Sequence, residues 1–268
     1  MGRMADVYTH GHHESVLRSH RWRTVENSAA YLLPHLGKDA KILDVGCGPG
    51  TITAGLADRV PGGHVTGIDT SAEVVAQARE VTGDRTNLDF TSGDVYALGY
   101  PDDTFDVVHA HQVLQHLADP VGALREMRRV TKPGGLVAVR DGDFGGMIWY
   151  PQPPVLDEWL AFYKKVARGN GGEPDGGRHL HVWAREAGFT DITCSSSNWT
   201  YATERERAWW GGLWADRTLK STFAETAVAG GHGTVEDLER IADGWRAWAA
   251  DENGWFLVPN GEILCRVG

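Results

Sequence analysis

From residue 41 onward the chain alternates between two hydrophobic periods. "KILDV" (41–45) is an apolar run of strand length, and "TITAGLADRV" (51–60) has helical spacing, stopped by Pro61 and Gly62. "HVTGID" (64–69) predicts a second strand, and "SAEVVAQAREV" (71–81) a second helix with Thr70 and Glu73 as its candidate capping box and Gly83 as its stop. "LDFTSGD" (88–94) predicts a third strand. "FDVVHAH" (105–111) is close to continuously apolar, as a strand buried on both faces should be. Asp119 and Pro120 supply an N-cap and first-turn proline for a helix whose apolar face runs through Val121, Leu124, Met127 and Val130. "KPGG" (132–135) breaks that helix, and "LVAVRD" (136–141) is a fifth strand.

Five strands alternating with helices predict an α/β fold: a parallel, doubly wound sheet with right-handed crossovers. After Asp141 the rhythm changes. Residues 142–177 are rich in Gly, Pro and Trp; "RHLHVWAREAGF" (178–189) predicts a helix ended by Gly188; "TDITCSSSNWTY" (190–201) predicts a strand. A helical stretch fills 203–250, and "WFLVPNGEILCRV" (255–267) closes the chain as a strand able to pair with 191–201. The count is seven strands, mostly parallel, with an antiparallel C-terminal edge. The expected organisation is one domain over 1–268, with 38–141 as its ligand-binding core. The 142–177 and 203–250 segments read as insertions covering the carboxyl edge of the sheet. Residues 1–37 read as a polar helical lid, with Val25, Ala29, Leu32, Leu33 and Leu36 at helical spacing interrupted by Pro34.

Composition narrows the function classes. Lys and Arg total 26 against 36 Asp and Glu, a net charge of −10, which argues against an extended nucleic-acid surface. No apolar run reaches bilayer length, and the N-terminus lacks the apolar segment of a secretory signal. Cys47, Cys194 and Cys265 are scattered and odd in number, which fits a reducing, cytoplasmic setting. Most of the 11 tryptophans lie after residue 145, which implies a heavy aromatic core or a lined pocket there.

The chemistry concentrates in "KILDVGCGPGT" (41–51). Glycines let backbone approach a ligand and admit positive φ. A dinucleotide turn has G-x-G-x-x-G/A, but reading from Gly46 and Gly48 the third small position falls on Thr51. The spacing is instead Asp44, Gly46, Gly48, Gly50. A carboxylate just ahead of the glycines suits a locally cationic nucleoside ligand.

On these residues the sequence resembles the class I S-adenosylmethionine-dependent methyltransferases, most closely the ubiquinone- and menaquinone-biosynthesis subgroup. "LDVGCGPG" matches the family's first motif, "GID" (67–69) the acid that ends the second strand, "SGDVYALGYPDDTFDVV" the adenine-holding segment, and "RRVTKPGGLVAV" the last core motif. The resemblance covers about residues 40–141 and implies a Rossmann-like sheet and S-adenosylmethionine as cofactor. It places the ribose hydroxyls on Asp69, beside Thr70. The adenine falls on Gly93, Asp94 and Val95. It places the methionine moiety along Asp44, Gly46 and the end of the fourth strand near Ala110 and His111, with Cys47, Gly48 and Gly50 of the same turn as further cofactor-binding candidates. Tyr8 and His12 are candidates to reach the cofactor from the lid.

Ligands in open α/β sheets sit beyond the carboxyl ends of the strands. There "VHAHQVLQH" supplies His111 and His116 as candidate general bases, with His109 on the same strand face as His111. Candidates to line the acceptor are Arg21 and Trp22, Asp141, Trp149 and Tyr150 after the fifth strand, and Trp210 and Trp214, four apart. Asp141 and Asp143 are spaced D-x-D but lack an evident third ligand, and the His-rich N-terminus lacks an established ligand spacing, so no metal is expected. The reading is methyl transfer to a small, apolar or aromatic metabolite, by a monomer or homodimer with no nucleic-acid or membrane partner. A cyclisation or rearrangement on the same fold, an NAD(P)-dependent oxidoreductase and a non-catalytic binder stand as rivals.

Overall fold

The computed structural model describes residues 19–268. A short helix α1 (Val25–Ser28) precedes the sheet. Strands β1 (Lys41–Val45), β2 (His64–Asp69), β3 (Leu88–Ser92), β4 (Phe105–His111) and β5 (Thr131–Gly142) stand in the order β3-β2-β1-β4-β5, every neighbouring pair parallel. Helices α2 (Thr51–Arg59), α3 (Ala72–Thr82) and α4 (Pro120–Val130) make the crossovers. The amphipathic face of α4 buries Leu124, Met127 and Val130 as its spacing requires, and Asp119 caps it by accepting from the Gly122 N–H at 2.7 Å.

Beyond β5 the segment 142–177 holds a three-residue strand β6 (Ile148–Tyr150) and helix α5 (Pro154–Gly169). Helix α6 (Gly176–Glu186) leads to β7 (Asp191–Tyr201); α7 (Glu204–Lys220), α8 (Thr222–Ala229) and α9 (Val235–Ala250) lead to β8 (Trp255–Arg266). Strand β8 runs antiparallel to both β5 and β7, which gives the expected antiparallel C-terminal edge. The strand count is eight rather than seven. Strand β8 has twelve residues, so after Asn260 has paired with Gly142 of β5 the same edge continues and pairs Leu257 with Ile148 of β6. Three residues carry too little periodicity to announce that strand.

Other expectations shift locally. Residues 25–36 are not one helix: α1 ends at Ser28 and a single 3₁₀ turn, Leu33–His35, holds Pro34. Val25, Ala29 and Leu32 are nonetheless buried against Ile42, Ile52 and Leu56, so the apolar spacing marks packing rather than continuous helix. The N-cap of α3 is Ser71, whose Oγ accepts from Val74 N–H at 3.3 Å, and Thr70 is left exposed. "KPGG" belongs to β5, where Gly134 takes φ +77° and the register against β4 shifts.

Two hydrophobic masses result. One lies around the parallel sheet and its crossover helices. The other joins α5, α7, α8 and α9 around Trp159, Trp214 and Trp245, whose ring centroids lie 4.6–5.9 Å apart. Gly211 in α7 lets α9 come close: a Cβ there would sit 2.7 Å from the Ala249 methyl and 2.8 Å from the Trp245 carbonyl. Beyond the end of β5, strands β7 and β8 continue together from Asn198–Pro259 to Tyr201–Phe256. That extension, flanked by β6 on the other side of β8, carries Trp199, Tyr201 and Val258 out over the carboxyl edge of the sheet.

Candidate functional site

The turn after β1 is built on three glycines with positive φ: Gly46 at +67°, Gly48 at +54° and Gly50 at +78°. Side chains rarely adopt this conformation, so the spacing of the turn is a backbone requirement. The space a side chain would need at Gly46 is filled by Val113, and that at Gly50 by Phe90. Gly48 differs: only His20 Nδ1, 3.8 Å away, would meet its Cβ. Asp69, at the end of β2, accepts from the Gly48 N–H at 3.2 Å through Oδ2 and from the Ser71 N–H at 3.1 Å through Oδ1. It thus ties the turn to β2 and keeps further lone pairs on each oxygen.

A cavity of about 530 Å³ opens above this turn. The expected residues Asp44, Gly46, Cys47, Gly48, Asp69, Thr70, Gly93, Asp94 and Val95 line one end. Asp44 is almost fully buried; its Oδ1 accepts from His109 Nδ1 at 2.7 Å and its Oδ2 from Thr53 Oγ1 at 2.6 Å. Two donors on a buried carboxylate fix its position as the strand ends. Asp94 closes its own turn by accepting from Tyr96 N–H at 2.9 Å. Burial pushes the Cys47 thiol well above its ordinary range, so it packs as a small apolar side chain beside Val75, Ala78 and Phe90.

The other end is aromatic. Trp22, Trp210 and Trp214, all expected there, line it together with Trp199, Tyr201 and Trp209. Tyr201 stacks on Trp210 at 4.3 Å, and Trp22 meets Trp199 edge-on at 5.4 Å. Phe144 and Met147 complete this wall. Trp245 and Trp248, by contrast, pack in the second core.

The candidate bases lie between the two ends. His111 and His116 both line the cavity. His111 is 5% exposed, and neither ring nitrogen has a hydrogen-bond partner among the described residues. Burial, then the charges of Arg23 and Arg140, hold its pKa well below the usual imidazole range. His116 is partly open at its surface yet enclosed by protein on a wider scale, and the wider enclosure governs its charge. That burial, with Arg23 and Arg217 nearby, pushes its pKa down to about 3. Gln115 Oε1 accepts from Gly142 N–H at 2.9 Å, which turns the amide nitrogen toward His116 Nε2 at 3.1 Å. The ring of His116 therefore accepts at Nε2 and carries its proton on Nδ1.

Several expected residues stand off the cavity. Gly50 shapes the turn from behind, and Ala110 is fully buried in the sheet core. Asp141 is fully buried under the Leu114–His116 turn, because the carboxyl end of β5 is covered by that turn. Burial pushes its carboxyl up to about 7; the N–H groups of Gln115, Val113 and Leu114 pull the other way, though none closes a hydrogen bond of good geometry. Trp149 stacks on Phe256 at 5.5 Å in the second core, since β6 pairs with β8 and turns that face inward. Tyr150 alternates to the opposite face and is 61% exposed. Arg21 does not line the cavity. Tyr8 and His12 lie outside the described residues. Asp143 accepts from Arg178, Nε at 2.7 Å and Nη2 at 2.5 Å. Among the described residues no group of three His, Cys, Asp or Glu side chains is placed to hold a metal ion, and no helix is long and apolar enough to cross a membrane.

The sequence pattern does not point to Trp199 and Tyr201, which reach the cavity only through the β7–β8 extension, or to Trp209, which reaches it from α7. It also missed Arg23 and Gln112, joined by a 2.5 Å hydrogen bond from Arg23 Nη2 to Gln112 Oε1. Gln112 sits at φ +52°, a conformation uncommon outside glycine, just where β4 ends; no sequence pattern marks it.

A parallel sheet with a glycine turn after β1, and acids at the ends of β2 and β3 facing one cavity, defines a nucleoside-cofactor enzyme of the doubly wound class. The chain matches the methyltransferase-domain family over residues 43–139. An uncharacterized methyltransferase of Schizosaccharomyces pombe is 37% identical over 268 residues, covering 96% of this chain and 95% of that protein. A demethylmenaquinone methyltransferase of Staphylococcus aureus is 37% identical over 129 residues, 48% of this chain and 51% of that protein. Among solved structures the cyclase SpnF shares the fold, with a TM-score of 0.51 over 94% of this chain and 80% of that one at 24% identity. The chain belongs to the S-adenosylmethionine-dependent methyltransferases, and S-adenosylmethionine is its cofactor. The residues present fit that group: Asp69 retains acceptor capacity suited to a diol, Asp94 lines the same cavity, and Gly48 leaves backbone open where a side chain would intrude.

Proposed function

We propose that this enzyme methylates a small, planar, apolar or aromatic acceptor held in the aromatic half of the cavity. The observation that carries the reading is the polarity of one continuous cavity. Its acids and glycines lie at the ends of β1, β2 and β3, and its tryptophans lie at the far end. Asp69 would hold the ribose hydroxyls, Asp94 the adenine amine, and the buried Asp44 would supply the negative charge that faces the methionine ammonium. Bound there, S-adenosylmethionine supplies a methyl group on a sulfonium, a reactive centre the protein need not create. The chain's task is alignment and exclusion of water. Trp199, Tyr201 and Trp210 would fix the plane of the acceptor, and the 142–177 and 203–250 segments would cover it.

The proton released by an acidic acceptor would pass through His111 or His116. Both are neutral at neutral pH, the form that accepts a proton. Their depressed basicity means the proton is handed on rather than stored. The rival oxidoreductase loses its support with the family assignment. A cyclisation would use the same cavity and yield a product of unchanged mass. Incubation of the chain with methyl-labelled S-adenosylmethionine and a panel of phenols, quinols and heteroaromatic amines tests the proposal. Label in a product, together with S-adenosylhomocysteine, supports it; a converted acceptor without added mass contradicts it. Near-wild-type rates across pH in both His111→Ala and His116→Ala would remove the base assignment alone.

A further inference from the structure

One face of the sheet carries a row of polar side chains where apolar ones belong. Asp44 on β1 pairs in register with His109 on β4; two residues on, His111 pairs with Arg140 on β5, Arg140 with Glu262 on β8, and Glu262 with Ser195 on β7. Arg140 and Glu262 have side chains only 1% and 5% exposed and meet at 3.3 Å. Glu262 is well served, accepting from Ser195 Oγ at 2.7 Å and Ser197 Oγ at 2.5 Å. Arg140 is not: Nε donates to Ser197 and Glu262, but Nη1 and Nη2 have no partner among the described residues. Burial draws its guanidinium down to about 10 despite the neighbouring carboxylate.

A buried pair left this incomplete is a poor source of stability, since apolar replacements of such pairs are often neutral or stabilising. Its geometry points elsewhere. The guanidinium lies 4.6 Å over the ring of Trp199. The indole is pinned at its edge as well, with Nε1 donating to the Asn27 carbonyl at 2.8 Å. Trp199 lines the cavity and meets the ring of His111 at 5.7 Å. Arg140 itself does not line the cavity.

We propose that Arg140 is a positioning residue for the acceptor: braced by Glu262 and Ser197, its planar guanidinium fixes the orientation of the Trp199 indole against which the acceptor lies. The proposal rests on the aromatic end being the acceptor half. Lysine does not replace arginine here, because an ammonium is a mobile point charge without the planar fork that Glu262 and Ser197 brace beneath the indole.

The test uses the full chain labelled with 5-fluorotryptophan and saturated with S-adenosylhomocysteine. The fluorine resonances of Trp199 and of Trp245, which lies in the second core, are assigned with Trp199→Phe and Trp245→Phe. In Arg140→Met/Glu262→Gln, which leaves no buried charge unpaired, the Trp199 resonance should move or broaden. The Trp245 resonance should stay in place, and affinity for S-adenosylhomocysteine should remain within about twofold of wild type. Arg140→Lys should release Trp199 in the same way. An unmoved Trp199 resonance in both variants overturns the proposal. So does a joint shift of Trp199 and Trp245 with loss of cofactor-product binding, which would make the pair a general element of the fold. Failure of the wild-type chain to bind S-adenosylhomocysteine would instead strike the cofactor reading, and the same titration reports it.

Discussion

The two ends of the cavity are built by opposite means. The end proposed for the cofactor is backbone-defined: three positive-φ glycines, with short carboxylates at or just beyond the ends of β1, β2 and β3. The end proposed for the acceptor is side-chain-defined. Large aromatic rings reach it from the N-terminal segment, from β7 and from α7, and those on β7 and α7 also serve the second core. A backbone-defined site can change little, because its spacing is a conformational requirement. A side-chain-defined site can be recast by substitution within a packed helical mass. This division fits a fold that keeps one donor and takes varied acceptors.

The largest effect that would sharpen this contrast is expected at Trp214. It is 1% exposed and shared between wall and core, so Trp214→Ala should lower unfolding stability by about 3–5 kcal/mol in chemical denaturation. A small loss would show that the aromatic end is not part of the core. Next is Asp69→Ala at the other end. It should weaken S-adenosylhomocysteine binding about 10- to 100-fold by calorimetry, the scale of hydrogen bonds to a charged group, with little change in the aromatic half. Unaltered affinity would remove the ribose assignment.

Acidification should expose the neutral histidines. With folded pKa values below the unfolded value near 6.5, His111 and His116 leave the unfolded chain binding more protons than the native one. Stability should therefore be flat above about pH 7 in this respect and fall as pH drops from about 6.5 toward 3. Asp141, raised to about 7, opposes this trend between its unfolded value near 4 and 7, because there the native state holds the extra proton. Asp141→Asn should thus steepen the acid-side decline in denaturant titrations at stepped pH. A decline that becomes shallower would contradict the buried, protonated state of Asp141. The smallest effect is at Tyr150, exposed and off the cavity: Tyr150→Ser should change stability by less than about 0.5 kcal/mol and leave cofactor-product affinity unchanged.

The same division explains what could be read from the chain. The glycine-turn end of the cavity was legible as a cluster of residues because its constraints are local. Asp44, Gly46, Gly48, Asp69 and Asp94 are set by residues within their own turn or adjoining strand end. The sheet order was legible for a similar reason, since each apolar run and its helix stop lie side by side. The aromatic end was legible at Trp22 and where helical spacing put Trp210 and Trp214 on one face. Trp199 and Tyr201 depend on β7 outrunning β5 along β8, a register between segments some sixty residues apart that no local pattern encodes. Asp141, Trp149 and Tyr150 were misplaced by the converse rule: proximity to a strand's carboxyl end does not tell which face a short strand such as β6 will turn inward.

The most direct test of the central claim is a calorimetric titration of the full chain with S-adenosylhomocysteine and, separately, with NADH, repeated on Asp69→Ala and Trp210→Ala. One site for S-adenosylhomocysteine, weakened by Asp69→Ala, nearly untouched by Trp210→Ala and accompanied by no NADH binding, is the predicted result. Tight NADH binding without S-adenosylhomocysteine binding, or equal losses in the two variants, would contradict the account of one cavity with a donor end and an acceptor end.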